Sequence, residues 1–80
     1  MIHANDDLRA LIRTVPDFPK PGIQFRDITT LLLDAKGFAT AVERLAEAFP
    51  DKPDLIAGID ARGFVFAAAL AHRLGTGLLL

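Results

Sequence analysis

The stretch LIAGIDARGFVFAAALAHRLGTGLLL, residues 55–80, decides the fold of this 80-residue chain. It opens with an apolar run, Leu55–Ile59, which is typical of a buried parallel strand. A tight turn over Asp60–Gly63 leads into a predicted helix, Phe64–Leu74, and Gly75 stands where a helix-ending glycine is expected. A second apolar strand is predicted over Gly77–Leu80. The stretch therefore predicts a β-α-β unit with parallel strands and a right-handed crossover.

An amphipathic helix is predicted to begin at Asp34, upstream of this unit. Its apolar residues recur at steps of three and four positions and form one stripe: Phe38, Ala41, Val42, Leu45 and Phe49. Pro50 and Pro53 end this helix. We expect residues 34–80 to form the first part of an α/β core. Because the chain stops on three leucines inside an apolar strand, we also expect that core to be incomplete at its C-terminus.

Residues 1–33 have a different pattern. Asn5 is expected to cap a short amphipathic helix that ends near Thr14, and the residues around Met1 and His3 are expected to be disordered. Three prolines follow within six residues and predict a stiff, extended arm: Pro16, Pro19 and Pro21.

A short strand, Ile23–Arg26, is predicted after the arm, with Asp27 or Thr29 capping the next element.

Composition narrows the class of protein. The chain is 51% hydrophobic and 24% charged, which is too apolar for a disordered segment. Its net charge is −1 and it has no basic stripe, so no nucleic-acid partner is expected. Without cysteine it forms no disulfide and no thiolate zinc site. Asp6 and Asp7 stand where a signal peptide would be apolar, and the longest apolar run, Phe64–Ala71, is far shorter than the roughly 20 residues of a membrane span. We expect a soluble, cytoplasmic protein with no membrane partner.

The turn Asp60–Gly63 follows the carboxyl end of a predicted parallel strand, which is where α/β sheets bind ligands. Backbone N–H groups at a helix start attract anions, and the guanidinium of Arg62 has a geometry suited to phosphate oxygens. Gly63 would let the backbone approach a ligand closely. From the spacing alone, Arg62 is equally well explained as a solvated residue at a helix start and Gly63 as a turn former.

Two phenylalanines accompany the proline-rich arm. On a stiff arm, Phe18 or Phe25 could stack on a planar base, although aromatic residues more often serve only to pin such an arm to the core. Arg26 and Asp27 could form an ordinary surface ion pair. His72 lies near a helix end, where the dipole favours it, and no catalytic role is assigned to it.

Two segments together resemble one family. Asp17-Phe18-Pro19-Lys20-Pro21-Gly22-Ile23-Gln24-Phe25-Arg26-Asp27-Ile28-Thr29 resembles the N-terminal signature of adenine phosphoribosyltransferases. Ile56-Ala57-Gly58-Ile59-Asp60-Ala61-Arg62-Gly63-Phe64 resembles the pyrophosphate-binding loop of that family, and the spacing of the two segments fits. The resemblance implies a type I phosphoribosyltransferase fold, in which helices flank a parallel sheet and an N-terminal hood covers the base. In this chain it would be truncated, with the hood in 1–33 and the first part of the core in 34–80.

The resemblance implies a reaction in purine salvage: the phosphoribosyl group of phosphoribosyl pyrophosphate passes to adenine, giving AMP and pyrophosphate. Mg²⁺ would be bound mainly through the phosphate groups, and the enzyme would be a homodimer. Adenine and AMP would be held by Gln24, Phe25 and Arg26, with Phe25 stacking and the backbone at Gln24 and Arg26 reading the base edge. Pyrophosphate would be held by Asp60, Ala61, Arg62 and Gly63, with a cis peptide bond expected at Asp60–Ala61.

Several parts of the family's active site have no counterpart in these 80 residues. The ribose-5-phosphate loop and the mobile lid are absent, the catalytic acid is expected beyond residue 80, and no residue here is assigned to a metal. The chain alone is therefore expected to be poorly folded and inactive. Two alternatives stay open: a non-catalytic nucleotide-sensing regulator of the same fold, and a segment that serves only for interaction with a partner subunit.

Overall fold

The computed structural model describes residues 5–80, so the expectation for Met1 and His3 lies outside the described residues. The chain divides after Ala39 into two compact units, and the division falls inside one helix. The elements of the described range follow in chain order: α1 (Asp6–Arg9), β1 (Arg13–Val15), β2 (Phe25–Asp27), α2 (Thr29–Leu33), α3 (Ala35–Glu47), β3 (Leu55–Ala57), α4 (Arg62–Leu74) and β4 (Gly77–Leu79).

The first unit contains an antiparallel hairpin of β1 and β2, in which Arg13, Thr14 and Val15 lie opposite Asp27, Arg26 and Phe25. The prediction of a helix to Thr14 is therefore wrong, because α1 ends at Arg9. Thr14 and Val15 are β-branched and favour a strand. The strand predicted over Ile23–Arg26 is β2, which begins two residues later and ends one residue later.

The proline-rich segment between these strands is a closed loop rather than the expected extended arm. The N–H of Phe18 donates to the carbonyl of Ile23 at 3.0 Å, and the N–H of Gly22 donates to the carboxylate of Asp17 at 2.9 Å. Asp17 has φ +55° and Gly22 has φ +87°. Both values lie in the left-handed region, which glycine adopts readily and aspartate tolerates, so the chain reverses in spite of its prolines.

An aspartate precedes each of the next two helices and accepts a backbone N–H at its start. The carboxylate of Asp27 accepts the N–H of Thr29 at 2.9 Å, just ahead of α2, and that of Asp34 accepts the N–H of Gly37 at 2.6 Å in the first turn of α3. The second contact confirms the predicted helix start at Asp34. The N-cap position of α2 is Ile28, rather than Asp27 or Thr29 as predicted, although the Asp27 carboxylate accepts the first N–H of that helix. Asn5 is at the N-cap position of α1, as predicted, but its side chain makes no capping hydrogen bond.

The second unit is the predicted β-α-β arrangement. β3 and β4 pair in parallel with Ile56 opposite Leu78, and α4 connects them. Gly75 has φ +72° and ends α4, as predicted. The core of this unit comprises four buried side chains with two partly buried neighbours: Ile56, Ala67, Leu70, Ala71, Ala46 and Leu74.

The far face of this small sheet is not covered by the described residues. Leu55 is 51% exposed and Leu79 is 56% exposed, whereas Ile56, which follows Leu55 in β3 and points to the other face, is 6% exposed. Parallel sheets are usually covered on both faces. Within residues 5–80, no helix combines the length and the apolar character needed to cross a membrane.

Candidate functional site

The predicted pyrophosphate turn lies between the carboxyl end of β3 and the start of α4. Asp60, Ala61 and Arg62 are exposed, and Ile59 is 84% exposed. The helix begins at Arg62, two residues earlier than predicted, because the N–H of Phe64 already donates to the carbonyl of Ala61 at 3.1 Å. The peptide bond between Asp60 and Ala61 is cis, as the resemblance implied. The turn therefore presents its backbone and the Arg62 side chain at a helix N-terminus.

Close backbone packing at Gly58 fixes the base of this turn. A Cβ atom added to Gly58 would lie 2.7 Å from the Cβ of Ala67 and 2.8 Å from the carbonyl oxygen of Gly63. The N–H of Gly58 also donates to the carbonyl of Leu79 at 3.2 Å and extends the pairing of β3 with β4. The sequence pattern pointed to Gly63, yet a Cβ there would keep 3.8 Å from its nearest neighbour. The signal in the sequence that would have indicated Gly58 is its position, directly after the apolar strand β3 and ahead of the alanine-rich helix α4.

The charge distribution along α4 favours an anion at its start. The first turn contains no acidic residue, and His72 and Arg73 lie in the last turn, where cations complement the helix dipole. Arg73 is paired with Glu43 of α3 at 2.9 Å, which raises the pKa of the guanidinium through that hydrogen bond. Arg62 is thus the cation placed at the N-terminal end, where the dipole also attracts negative charge.

The predicted base-binding segment lies at the start of β2. Gln24 and Arg26 are exposed and Phe25 is half-buried. The rings of Phe18 and Phe25 meet edge to face, with centroids 5.3 Å apart and planes inclined by 62°. Phe18 is itself 50% exposed, so its ring is not a core residue that pins the loop down. An edge-to-face pair of this geometry restricts the orientation of the Phe25 ring.

The charged residues around Phe25 pair across the hairpin rather than along it. Arg13 donates to the carboxylate of Asp27 at 2.6 Å, and the guanidinium of Arg26 donates to the hydroxyl of Thr14. The alternative of a surface ion pair between Arg26 and Asp27 is therefore wrong, because neighbouring residues of a strand point to opposite faces. Hydrogen bonds from the Thr29 hydroxyl and N–H, and then from Arg13, lower the pKa of Asp27 to about 2.

An apolar groove of about 530 Å³ lies beside the turn in the second unit. Its walls include Leu45, Phe49, Leu55, Ile59 and Phe66, and none of its lining residues is charged. Such a surface suits packing by apolar groups and not phosphate binding. No group of three or more His, Cys, Asp or Glu side chains is placed to hold a metal ion within the part of the chain that the structure describes.

Comparison with known proteins tests the resemblance. No family model matches the chain. An adenine phosphoribosyltransferase of Cyanothece sp. is 57% identical over 74 residues, which are 91% of this chain and 44% of that enzyme. The crystal structure of adenine phosphoribosyltransferase from Thermoanaerobacter pseudethanolicus superposes with a TM-score of 0.85 at 51% identity, over 91% of this chain and 44% of that one.

A second solved structure carries ligands. Adenine phosphoribosyltransferase from Saccharomyces cerevisiae, complexed with an imino-altritol bisphosphate and adenine, superposes with a TM-score of 0.82 at 35% identity, over 91% of this chain and 46% of that one. The chain thus spans less than half the length of the enzymes that it matches. Its resemblance to adenine phosphoribosyltransferases is confirmed, and it has the fold of the N-terminal part of these type I phosphoribosyltransferases.

Proposed function

We propose that this chain is the N-terminal part of an adenine phosphoribosyltransferase and supplies its base-binding segment and its pyrophosphate loop. The reaction in purine salvage would form the bond from ribose C1 to adenine N9 and break the bond from C1 to pyrophosphate. The observation that carries this proposal is the 57% identity to such an enzyme over 91% of the chain, which includes both segments.

The turn Asp60–Gly63 would hold the pyrophosphate. The transition state resembles a ribosyl cation, so the leaving group gains negative charge as the C1–O bond breaks. Arg62 and the backbone N–H groups at the start of α4 would stabilise that charge, because the folded turn already brings them to the same helix end. The exposure of Asp60, Ala61 and Arg62 supports this role, because a ligand can reach them without displacing the core.

The segment Gln24–Arg26 would hold adenine, with the Phe25 ring stacked on the base and the backbone reading its edge. Gln24 directly precedes β2 and Arg26 lies within it. In extended chain, backbone groups two positions apart face the same edge, so the two residues would address one ligand together. The guanidinium of Arg26 is bound to Thr14, which leaves the recognition role to its backbone. The related yeast enzyme was solved in complex with adenine.

Mg²⁺ would take most of its ligands from the phosphate oxygens of phosphoribosyl pyrophosphate. When bound, the ion would neutralise part of the pyrophosphate charge. The task of the chain itself is to align the leaving group and the base on opposite sides of the ribose.

The remaining features of this proposal follow from the family. The catalytic acid and the ribose-5-phosphate loop are not among these 80 residues. We therefore propose that the 80 residues alone do not turn over substrate. We propose a homodimer that acts in the cytoplasm, with adenine, phosphoribosyl pyrophosphate and AMP as its ligands.

The test is conversion of adenine to AMP by the natural protein that contains residues 1–80, with phosphoribosyl pyrophosphate, Mg²⁺ and hypoxanthine as the control base. We expect AMP from adenine and no IMP from hypoxanthine. A folded protein that binds AMP but converts neither base would instead be a nucleotide-sensing regulator. A solution mass that is the same with and without AMP, together with no binding to either substrate, would identify an interaction segment.

A further inference from the structure

Asp27 lies directly after the proposed base-binding segment and joins three parts of the first unit. The residue is 9% exposed. One carboxylate oxygen accepts from Arg13 of β1 at 2.6 Å, and the other accepts from the N–H of Thr29 at the start of α2 at 2.9 Å. Asp27 itself belongs to β2. A single buried carboxylate therefore ties the strand that carries Phe25 to its partner strand and to the following helix.

The hairpin needs such a tie because its ladder is short. β1 and β2 pair over three residues each, and the sheet has no further strand within the described residues. Two-stranded ribbons of this size are marginal in water, and their register is weakly specified when few apolar side chains select one face. Backbone pairing alone therefore does not decide which residue lies opposite which.

Side-chain pairs between β1 and β2 specify the register of the hairpin on both of its faces. Arg13 is opposite Asp27 and bonded to it, and Thr14 is opposite Arg26 and bonded to it. Consecutive positions of a strand point to opposite faces, so the two pairs lie on different faces of the hairpin. A slip by one residue would break both pairs together. The pair with Asp27 is the better sheltered, since the Asp27 side chain is 12% exposed.

We propose that Asp27 is a positioning residue for base recognition: by fixing β2 against β1, it sets which backbone donors and acceptors Gln24–Arg26 present to the purine. This inference rests on the proposed function. Along one edge of a strand, N–H and C=O groups alternate. Adenine offers an amino donor at C6 beside an acceptor at N1, whereas hypoxanthine offers an acceptor at C6 beside a donor at N1. A shifted strand would present the wrong order of groups, so register and base selectivity are linked.

The experiment measures steady-state kinetics of the natural protein that contains this chain, with the variants Asp27→Ala and Asp27→Asn. The matched control is Glu43→Gln, which breaks the exposed ion pair to Arg73 in the second unit. Three quantities are compared: KM for adenine, KM for phosphoribosyl pyrophosphate, and the inhibition constant of hypoxanthine against adenine.

We expect Asp27→Ala to raise KM for adenine about 10- to 100-fold, the range for loss of a hydrogen bond to a charged group. KM for phosphoribosyl pyrophosphate should stay unchanged and hypoxanthine should become the better inhibitor relative to adenine. Asp27→Asn keeps the shape and an acceptor oxygen, so it should recover part of the selectivity even if the alanine variant folds poorly. Glu43→Gln should alter none of the three quantities.

Two results would overturn the inference. Equal losses of affinity for both substrates in Asp27→Asn would mean that Asp27 only stabilises the fold, and unchanged selectivity in both variants would mean that register does not depend on it. These results differ from failure of the proposed function, in which the unmodified protein itself would not convert adenine.

Discussion

The two units fix their proposed ligand-binding segments by different forces. In the first, polar side chains pair across a three-residue ladder and join β2, which contains Phe25 and Arg26, to β1. In the second, the turn Asp60–Gly63 rests on an apolar core and on the close approach of Gly58 to α4. The difference implies that substitutions in the hairpin change where a ligand is held, whereas substitutions beneath the turn first change whether the unit folds.

The largest loss of stability is expected from Leu70→Ala. Leu70 is 6% exposed in the core beneath the turn, and truncating a buried leucine costs about 2–5 kcal/mol. Asp51→Ala is the control, because Asp51 is exposed, does not line the apolar groove and should contribute less than about 0.5 kcal/mol. Urea unfolding of the natural protein measures both. Equal losses would show that the apolar core does not support the turn.

The next largest loss of stability is expected from Gly58→Ala, which should lower the free energy of unfolding by about 1–3 kcal/mol through overpacking. Its Cβ would lie 2.7 Å from the Cβ of Ala67 and 2.8 Å from the carbonyl oxygen of Gly63, neither of which is the end of a flexible side chain. Gly63→Ala is the matched control: its Cβ would have ordinary contacts, and alanine favours the helix by about 0.5–1 kcal/mol. We expect Gly63→Ala to be no less stable than the parent in the same unfolding assay. A stable Gly58→Ala protein would contradict the packing described for the turn.

Arg62→Ala separates binding from stability. Loss of its charge should weaken pyrophosphate inhibition and raise KM for phosphoribosyl pyrophosphate about 10- to 100-fold, with KM for adenine unchanged. Arg73→Ala removes an arginine from the other end of the same helix, where it pairs with Glu43, and serves as the control. If the two variants bind pyrophosphate equally well, Arg62 is only a solvated residue at the helix start.

The smallest effect concerns the pH dependence of the hairpin. Because the pKa of Asp27 is lowered to about 2, its carboxylate stabilises the folded state fully above its ordinary pKa of 3.8. That contribution is lost as the pH falls from about 4 through about 2, when the folded state must also be protonated. The difference in stability between the parent and Asp27→Asn should therefore shrink over this range and stay constant above it. A difference that is independent of pH would contradict the pairing of Asp27 with Arg13 and Thr29.

The same two regions show what a sequence can predict. The β-α-β unit was predicted correctly because apolar runs and a terminal glycine, Gly75, are local signals that agree with one another. The hairpin was missed because the contacts that form it are not local in sequence. Arg13 bonds to Asp27, fourteen positions away, and the loop reverses direction through the left-handed conformation of Asp17. Gly58 was overlooked since its role depends on Ala67, nine residues further on, which only the packed structure brings to it.

A chimaera tests the central claim most directly, namely that this chain supplies a working base segment and pyrophosphate loop. Residues 1–80 would replace the matching N-terminal part of the Cyanothece sp. enzyme, which is 57% identical to this chain over 74 residues. We expect the chimaera to convert adenine and not hypoxanthine, and to lose affinity for phosphoribosyl pyrophosphate on Arg62→Ala. A folded chimaera that fails to convert adenine, while the unmodified Cyanothece sp. enzyme does so under the same conditions, would contradict the claim.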